Sequence, residues 1–285
     1  MQKIIRSPMA EYLIADLDKS RLKQTAEHTV YLVTDVADGN WYMLKVSVDI
    51  PGNGRLDREA LVLKDIQTEV ARILLAEKPG SVSGGLRYEK CFPRLRESFL
   101  FTEQGNRRIN IIEIPATDSV RDLVPIEHWR TRGIEIGPNL VKVRIDPKSS
   151  AWLIGRLLKV FTLTQPIGIS VGKIDGGNIL VNSEKRRAIF FDWTDAHQYD
   201  KYVPSEKAGE EIASATKEVF LALGGSLAKG TLPPSDQLTD DRYAQLLLQF
   251  MSGAERNPDK AALRFYKLVR EMWEPAIHPF TTIPL

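Results

Sequence analysis

Hydrophobic and polar residues in the first hundred positions form two different patterns. Residues 29–36 and 41–48 are rich in β-branched and aromatic side chains, and Asp38–Gly39 lies between them. An Asp-Gly step between two such runs is a strong hairpin signal, so two antiparallel strands are predicted. Residues 55–75 carry apolar side chains at intervals of three and four, which predicts an amphipathic helix. Its apolar positions are Leu56, Ala60, Leu63, Ile66, Val70 and Leu74.

Further along, one more hairpin precedes a mostly helical region. Residues 98–102 and 108–114 predict the second hairpin, and after Pro115 the sequence pattern becomes typical of helices. A helix over residues 151–164 is apolar on nearly every face and is predicted to be buried, with Ser149 or Ser150 as its N-cap. The other predicted elements are a short β-ribbon at 141–145 and helices at 206–223, 236–251 and 260–273. The predicted class is therefore α+β, with one domain at 1–115 and a second at 116–285.

The composition of the chain argues against two classes of partner, nucleic acid and anionic membranes. The chain has 285 residues and a formal net charge of +2, from 39 basic and 37 acidic residues. This balance gives no general attraction to nucleic acid or to an anionic membrane. Cys91 is the only cysteine, which excludes an internal disulfide and favours a buried, inert thiol. Since no run of about 18 apolar residues occurs, a cytoplasmic protein is expected.

Two polar residues stand at apolar strands in the second half. Asn178 follows Gly176–Gly177 and precedes an apolar run, and Asp192 closes a second apolar run fourteen residues later. An asparagine and an aspartate in this layout hold Mg²⁺ in phosphoryl-transfer sites. Such sites also use a strand lysine for the α and β phosphates and a helix glutamate that orients it. Lys45 lies in the second predicted strand and Glu59 on the helix that follows.

With these residues, positions 22–225 resemble the protein-kinase-like superfamily, which includes compact small-molecule phosphotransferases. The resemblance implies a bilobal fold, with a small N-terminal antiparallel sheet plus one helix and a larger, mainly helical C-terminal lobe. It also implies ATP and Mg²⁺ as cofactors. Residues 111–114 match the hinge, so Glu113 and Ile114 are predicted to contact adenine. Residues 119–123 match the segment just beyond the hinge.

The chain departs from the superfamily at its catalytic loop. Lys173 stands where the general-base aspartate is expected, and Asp175 stands where many members have a phosphate-binding lysine. A lysine is protonated near neutral pH unless strongly desolvated, so Lys173 is suited to neutralising phosphate and not to accepting a proton. Asp175 is the candidate for a displaced base. An equally open interpretation is that Asp175 caps backbone amides in a tight turn.

Other positions also depart from the superfamily or leave alternatives open. The phosphate-covering loop of the superfamily is glycine-rich, but residues 22–30 contain no glycine. Asp195 and His197 are either solvated loop residues or an auxiliary acid and base. Glu210–Glu211 either brace the catalytic loop, as a buried aspartate does in many members, or lie exposed in the first turn of a helix.

Three functions remain open from the sequence. The first is an ATP-dependent phosphotransferase acting on a hydroxyl group of a protein or small molecule. The second is a pseudokinase, which binds nucleotide and acts as a scaffold without transfer. The third is transfer of AMP, as in kinase-like proteins resembling selenoprotein O. A nucleic-acid binder is disfavoured by the near-neutral charge.

Overall fold

The computed structural model describes residues 2–76, 88–114, 123–131, 134–136, 139–141, 143–184, 187–232, 241–273 and 281–284. The chain forms two compact units. Unit 1 contains Met1–Asp122 and the short segment Asp192–Ala196. Unit 2 contains Leu123–Phe191 and His197–Leu285. The α+β class expected from the sequence is confirmed, because the described residues combine antiparallel sheet with six α-helices.

Unit 1 is built on a seven-stranded antiparallel sheet with the order β1-β2-β4-β5-β7-β6, in which β3 also pairs with β4. Both predicted hairpins are present. Gly39, between β4 and β5, has a φ of +71°, which a residue without Cβ adopts at little cost. The strands are β1 (Lys3–Arg6), β2 (Glu11–Ile14), β3 (Arg21–Gln24), β4 (His28–Asp35), β5 (Trp41–Ser47), β6 (Arg94–Phe101) and β7 (Arg107–Glu113).

The first three strands were not predicted from the sequence. Each has four residues, too few for a period of two to stand out. Their place in the sheet is set by pairing, since β1 pairs with β2 and β4 pairs with both β2 and β3. The glycine-free segment 22–30 is consequently a strand, a tight turn and the start of β4.

The predicted amphipathic helix is α1 (Asn53–Ala76), which packs against β5, β6 and β7. Its buried face contains five of the six apolar positions that gave the period. Leu74 is the exception, because its side chain is 43% exposed near the end of the helix. Cys91 is buried as a free thiol, as expected.

Unit 2 is mainly helical, with short strands between its helices. The helices are α2 (Ile126–Thr131), α3 (Pro147–Thr164), α4 (Ser205–Ala222), α5 (Asp241–Met251) and α6 (Pro258–Met272). Of the strands, β13 pairs with β14 and β8, β9 with β10, β11 with β16, and β12 with β15. They are β8 (Val124–Pro125), β9 (Ile134–Ile136), β10 (Asn139–Val141), β11 (Val143–Ile145), β12 (Ile169–Ser170), β13 (Ile179–Asn182), β14 (Arg187–Phe190), β15 (His197–Gln198) and β16 (Thr282–Pro284).

The predicted cap of α3 was wrong. Asp146 is the N-cap, and its carboxylate accepts hydrogen bonds from the backbone N–H groups of Lys148 and Ser149. Pro147 occupies the first turn, where its missing N–H costs nothing. An aspartate directly before a proline is therefore the stronger start signal than the serines two and three residues later. The prediction that α3 is buried on most faces is confirmed.

The remaining elements agree with the sequence to within a few residues, apart from the ribbon. Residues predicted as one ribbon at 141–145 belong to two, because Asn139–Val141 pairs with β9 and Val143–Ile145 pairs with β16 near the end of the chain. The first residues of the helix predicted at 236–251, and residues 119–122 beyond the hinge, lie outside the described residues.

Candidate functional site: a buried lysine with two carboxylates

Lys45 is at the centre of a charged cluster inside unit 1. It lies in the middle strand β5, directly opposite Val30 on one side and Asn110 on the other. Its side chain is 0% exposed, and its Nζ lies 2.5 Å from Glu59 Oε1 and 3.0 Å from Asp192 Oδ1. The structure therefore brings together three residues that the sequence singled out from positions as far apart as 45 and 192.

Glu59 is held in place by more than the lysine. It lies on the buried face of α1 with a side chain that is 0% exposed. Its Oε2 accepts a hydrogen bond from Asn110 Nδ2 at 3.0 Å, and its Oε1 accepts one from the backbone N–H of Trp193 at 3.1 Å. A buried carboxylate that accepts hydrogen bonds from three donors can change its conformation only at a high cost in free energy. Glu59 is thus an orienting group for Lys45.

Asn110 was missed by the sequence analysis. It is a polar residue inside the apolar strand β7, and it is 0% exposed. Its Nδ2 also donates to the backbone carbonyl of Leu56 at 2.9 Å, which ties β7 to α1. The available signal was the interruption of an apolar run by an amide that must find a partner when buried.

Asp192 is less buried than the other two members of the cluster, with a side chain that is 15% exposed. Its Oδ1 accepts hydrogen bonds from Thr194 Oγ1 at 2.8 Å and from Lys45. Its Oδ2 faces His28 Nε2 at 3.5 Å and Lys23 Nζ at 3.9 Å. One carboxylate oxygen is therefore held by the protein, and the other faces two basic side chains.

The charges of this cluster stabilise one another. Burial alone would lower the pKa of Lys45, but the carboxylates of Asp192 and Glu59 outweigh it and raise that pKa. Burial alone would raise the pKa of Asp192, but the ammonium of Lys45, followed by the nearby His28 and Thr194, holds that pKa far below its usual range. Near neutral pH Lys45 is a cation and Asp192 is an anion.

The predicted hinge lies at the end of β7. Glu113 is the last residue of that strand and is half-buried, and Ile114 follows it as a 5% exposed residue. Glu113 pairs with Arg94 of β6 across the sheet. Both residues lie at the end of a strand, next to residues outside the described ranges. Their contact with adenine remains a prediction.

The loop between β12 and β13 holds the other predicted residues in unit 2. The side chains of Lys173 and Asp175 are 65% and 41% exposed, with 3.2 Å between Lys173 Nζ and Asp175 Oδ2. An ion pair this exposed contributes little to stability. Asp175 Oδ1 also accepts a hydrogen bond from the backbone N–H of Asn178 at 2.9 Å, so the turn-capping role considered from the sequence is present.

Asn178 is almost completely buried at 2% exposure. Its Nδ2 donates to the backbone carbonyl of Lys173 at 2.8 Å, which closes the loop on itself. Gly176 is required by packing, because a Cβ on it would lie 2.8 Å from the Cβ of Glu127. This glycine therefore permits a close approach of the loop to Glu127.

Glu211 braces this loop, and its neighbour Glu210 does not. Glu211 is 1% exposed, and its Oε1 accepts hydrogen bonds from Ser170 Oγ at 2.8 Å and from the backbone N–H of Val171 at 2.6 Å. Gln165 Nε2 donates to its other oxygen at 3.0 Å. Burial raises the pKa of Glu211, although these hydrogen bonds oppose the shift. Glu210 is exposed and contacts Lys207 on the surface.

Asp195 and His197 have separate surroundings. Asp195 Oδ1 accepts a hydrogen bond from Arg55 Nη1 at 2.8 Å in unit 1. His197 is exposed in β15 of unit 2, with its ring centroid 4.7 Å from that of Tyr199. The structure gives Asp195 an ion-pair partner and leaves His197 as an exposed ring against a tyrosine.

Within the described ranges, no group of three or more histidine, cysteine, aspartate or glutamate side chains could hold a metal ion. Across those ranges, no helix is long and apolar enough to cross a membrane. No model of a known protein family matches this sequence, and a search of curated proteins finds no significant match.

Proposed function

We propose that this chain is an ATP- and Mg²⁺-binding protein with a bilobal, protein-kinase-like fold, in which unit 1 carries the lysine that holds phosphate. The observation that supports this most is the buried contact of Lys45 with Glu59 and Asp192. Buried ion pairs are poor sources of stability, since apolar replacements of similar volume are often neutral or stabilising. Charged groups with strongly shifted pKa values occur preferentially at functional sites.

The roles follow from the contacts inside unit 1. Lys45 supplies a positive charge to the α and β phosphates, and Glu59 fixes the direction of its side chain. Asp192 is an ionised oxygen ligand that is still partly exposed, which fits Mg²⁺, a hard cation bound by one or two carboxylates plus substrate phosphates. When bound, Mg²⁺ would neutralise phosphate charge. Asn178 stays the predicted second metal ligand.

The proposed reaction is phosphoryl transfer to a hydroxyl group of a protein or small molecule in the cytoplasm. The acceptor oxygen forms a bond to the γ-phosphorus, the bond to the β–γ bridging oxygen breaks, and ADP leaves. The hydroxyl proton passes to Asp175, and Lys173 neutralises phosphate charge. Positioning and electrostatics supply most of the catalysis in this chemistry, so an unusual base is compatible with turnover.

A second candidate function is nucleotide binding without transfer, as in a pseudokinase. It is favoured by the engagement of Asp175, whose carboxylate already accepts the backbone N–H of Asn178 and contacts Lys173. A carboxylate already engaged by a turn amide and an ion pair is not positioned toward an acceptor hydroxyl.

Incubation with ATP labelled separately at the α and γ positions distinguishes these functions, with binding measured in parallel by calorimetry. Transfer of the γ label supports the proposed phosphotransferase, transfer of the α label identifies AMP transfer, and binding without transfer identifies a pseudokinase. Asp192→Asn should remove the Mg²⁺-dependent part of binding, and Glu210→Gln, a change at an exposed surface residue, is the matched control. If the wild-type protein does not bind MgATP, the proposal is wrong.

A further inference from the structure

Backbone N–H groups in the turn between β3 and β4 donate hydrogen bonds within the turn itself. The Oγ1 of Thr25 accepts hydrogen bonds from the N–H groups of Glu27 at 3.2 Å and His28 at 3.0 Å. The N–H of Thr25 in turn donates to the carbonyl of His28 at 2.9 Å. Three amides of the segment that would cover phosphate in a kinase-like fold are therefore occupied inside the turn.

The basic side chains around this turn lie on one face of the sheet. Val30 is opposite Lys23 of β3 and opposite Lys45 of β5, and residues directly opposite each other point to the same face. His28 is two residues before Val30 in the same strand, so it shares that face too. The sheet therefore directs two ammonium groups and one imidazole toward Asp192.

His28 has an unusual combination of burial and unmet hydrogen bonding. The residue is 2% exposed, and its Nε2 has no hydrogen-bond partner among the described residues. Its distance of 3.5 Å from Asp192 Oδ2 is at the outer limit for a hydrogen bond. A buried polar nitrogen without a hydrogen-bond partner is energetically costly, so a ligand that supplies an acceptor for this nitrogen would remove that cost.

The turn is anchored, so the imidazole does not depend on a mobile loop. The carbonyl of Glu27 accepts a hydrogen bond from the N–H of Val48 at 2.8 Å. Arg55 Nη1 lies 3.3 Å from Glu27 Oε1 and 2.8 Å from Asp195 Oδ1. A Cβ on Gly52 would lie 2.8 Å from the Glu27 carbonyl, so this close approach needs glycine. These contacts hold His28 in position before any ligand binds.

We propose that the Nε2–H of His28 donates a hydrogen bond to a phosphate oxygen of the bound nucleotide, with Lys23 as a second, charged contact. These two side chains would replace the backbone amides of a glycine-rich loop. The inference rests on the proposed nucleotide-binding function and concerns the phosphate-binding part of that same site.

The test compares the affinities of ATP, ADP and adenosine for His28 variants by calorimetry. His28→Phe keeps the ring and removes its nitrogens, and it should weaken ATP and ADP binding by about 10- to 100-fold, the usual range for a hydrogen bond to a charged group. Adenosine affinity should not change. His28→Gln places an amide nitrogen near the position of Nε2 and should restore most of the affinity for ATP.

The following results would overturn the inference. Unchanged ATP affinity in His28→Phe, with ATP bound by the wild type, removes the role of His28 and leaves the proposed function intact. Equal losses for ATP and adenosine indicate a structural role for the ring. Failure of the wild type to bind ATP removes both proposals. If His28→Phe does not fold, the test uses Lys23→Met, which changes a partly exposed residue. Weaker binding of ATP and ADP with unchanged binding of adenosine is then expected. Unchanged ATP binding in Lys23→Met contradicts the inference.

Discussion

Removing the charge of Lys45 tests the buried cluster most directly. Lys45→Met keeps much of the side-chain volume but leaves the carboxylates of Glu59 and Asp192 without their shared cation. Both Lys45 and Glu59 are 0% exposed, so solvent screening does not reduce the effect. Breaking a buried ion pair by removing one partner lowers the free energy of unfolding by about 3–5 kcal/mol. Because two carboxylates lose their cation here, the expected loss is near the upper end of that range.

Glu59→Gln is expected to cost less free energy of unfolding, about 3 kcal/mol, because Lys45 keeps Asp192 as a partner. The double variant removes both charges, so its cost should be smaller than the sum of the two single costs by about 1–3 kcal/mol. A non-additive result of this size identifies direct interaction between the two side chains.

Hydrogen exchange of the amides in β4 and β5 is the suitable assay, because it reports the opening of unit 1 by itself. A loss of about 3 kcal/mol corresponds to roughly 100-fold faster exchange of the most protected amides. Lys64→Met, which removes an exposed lysine of α1, is the control and should change stability by less than about 0.5 kcal/mol. Additivity within about 0.5 kcal/mol, or an unchanged exchange rate in Lys45→Met, would refute the reasoning.

The other predictions concern Mg²⁺, the brace of the loop and the candidate base. Millimolar MgATP should raise the melting temperature of the wild type, and Asp192→Asn should abolish the part of that shift that needs Mg²⁺; a shift that survives intact makes Asp192 a structural residue. Burial raises the pKa of Glu211, so its contribution to stability is complete below the unfolded value of about 4.3 and is lost as the pH rises through the folded value. Glu211→Gln should therefore flatten the dependence of unfolding free energy on pH just above about pH 4.3, measured by denaturant titration. Glu211→Ala should be destabilising at every pH, by about 1–3 kcal/mol for each buried donor left unpaired, and equal stability of the two variants would contradict the bracing role. Asp175→Asn keeps an oxygen for the N–H of Asn178, so a fall in turnover of about 100-fold with unchanged ATP affinity assigns Asp175 as the base; if turnover is unchanged, Asp175 serves only the turn.

Much of the local structure was determined by the sequence alone. The hairpin follows from two β-branched and aromatic runs on either side of Asp38–Gly39. Helix α1 follows from its repeated apolar spacing, and the buried helix α3 follows from a run that is apolar on nearly every face. Lys45 was also identifiable, because a polar residue inside an apolar run is unusual, and Asn178 was identifiable because it follows two glycines and directly precedes an apolar run. Short strands escaped the same reasoning, since four residues contain too few repeats to establish a period.

Tertiary structure decided which of these residues act together. Glu210 and Glu211 are identical neighbours in sequence, yet one is on the surface and the other accepts four hydrogen bonds in the interior. Likewise Glu59 and Asp192 meet at Lys45, and His28 lies against Asp192, although long stretches of chain separate these residues. Periodicity specifies the face of an element on which a side chain lies. Which distant element covers that face, and so which charges become buried together, is set only when the strands pair and the helices pack.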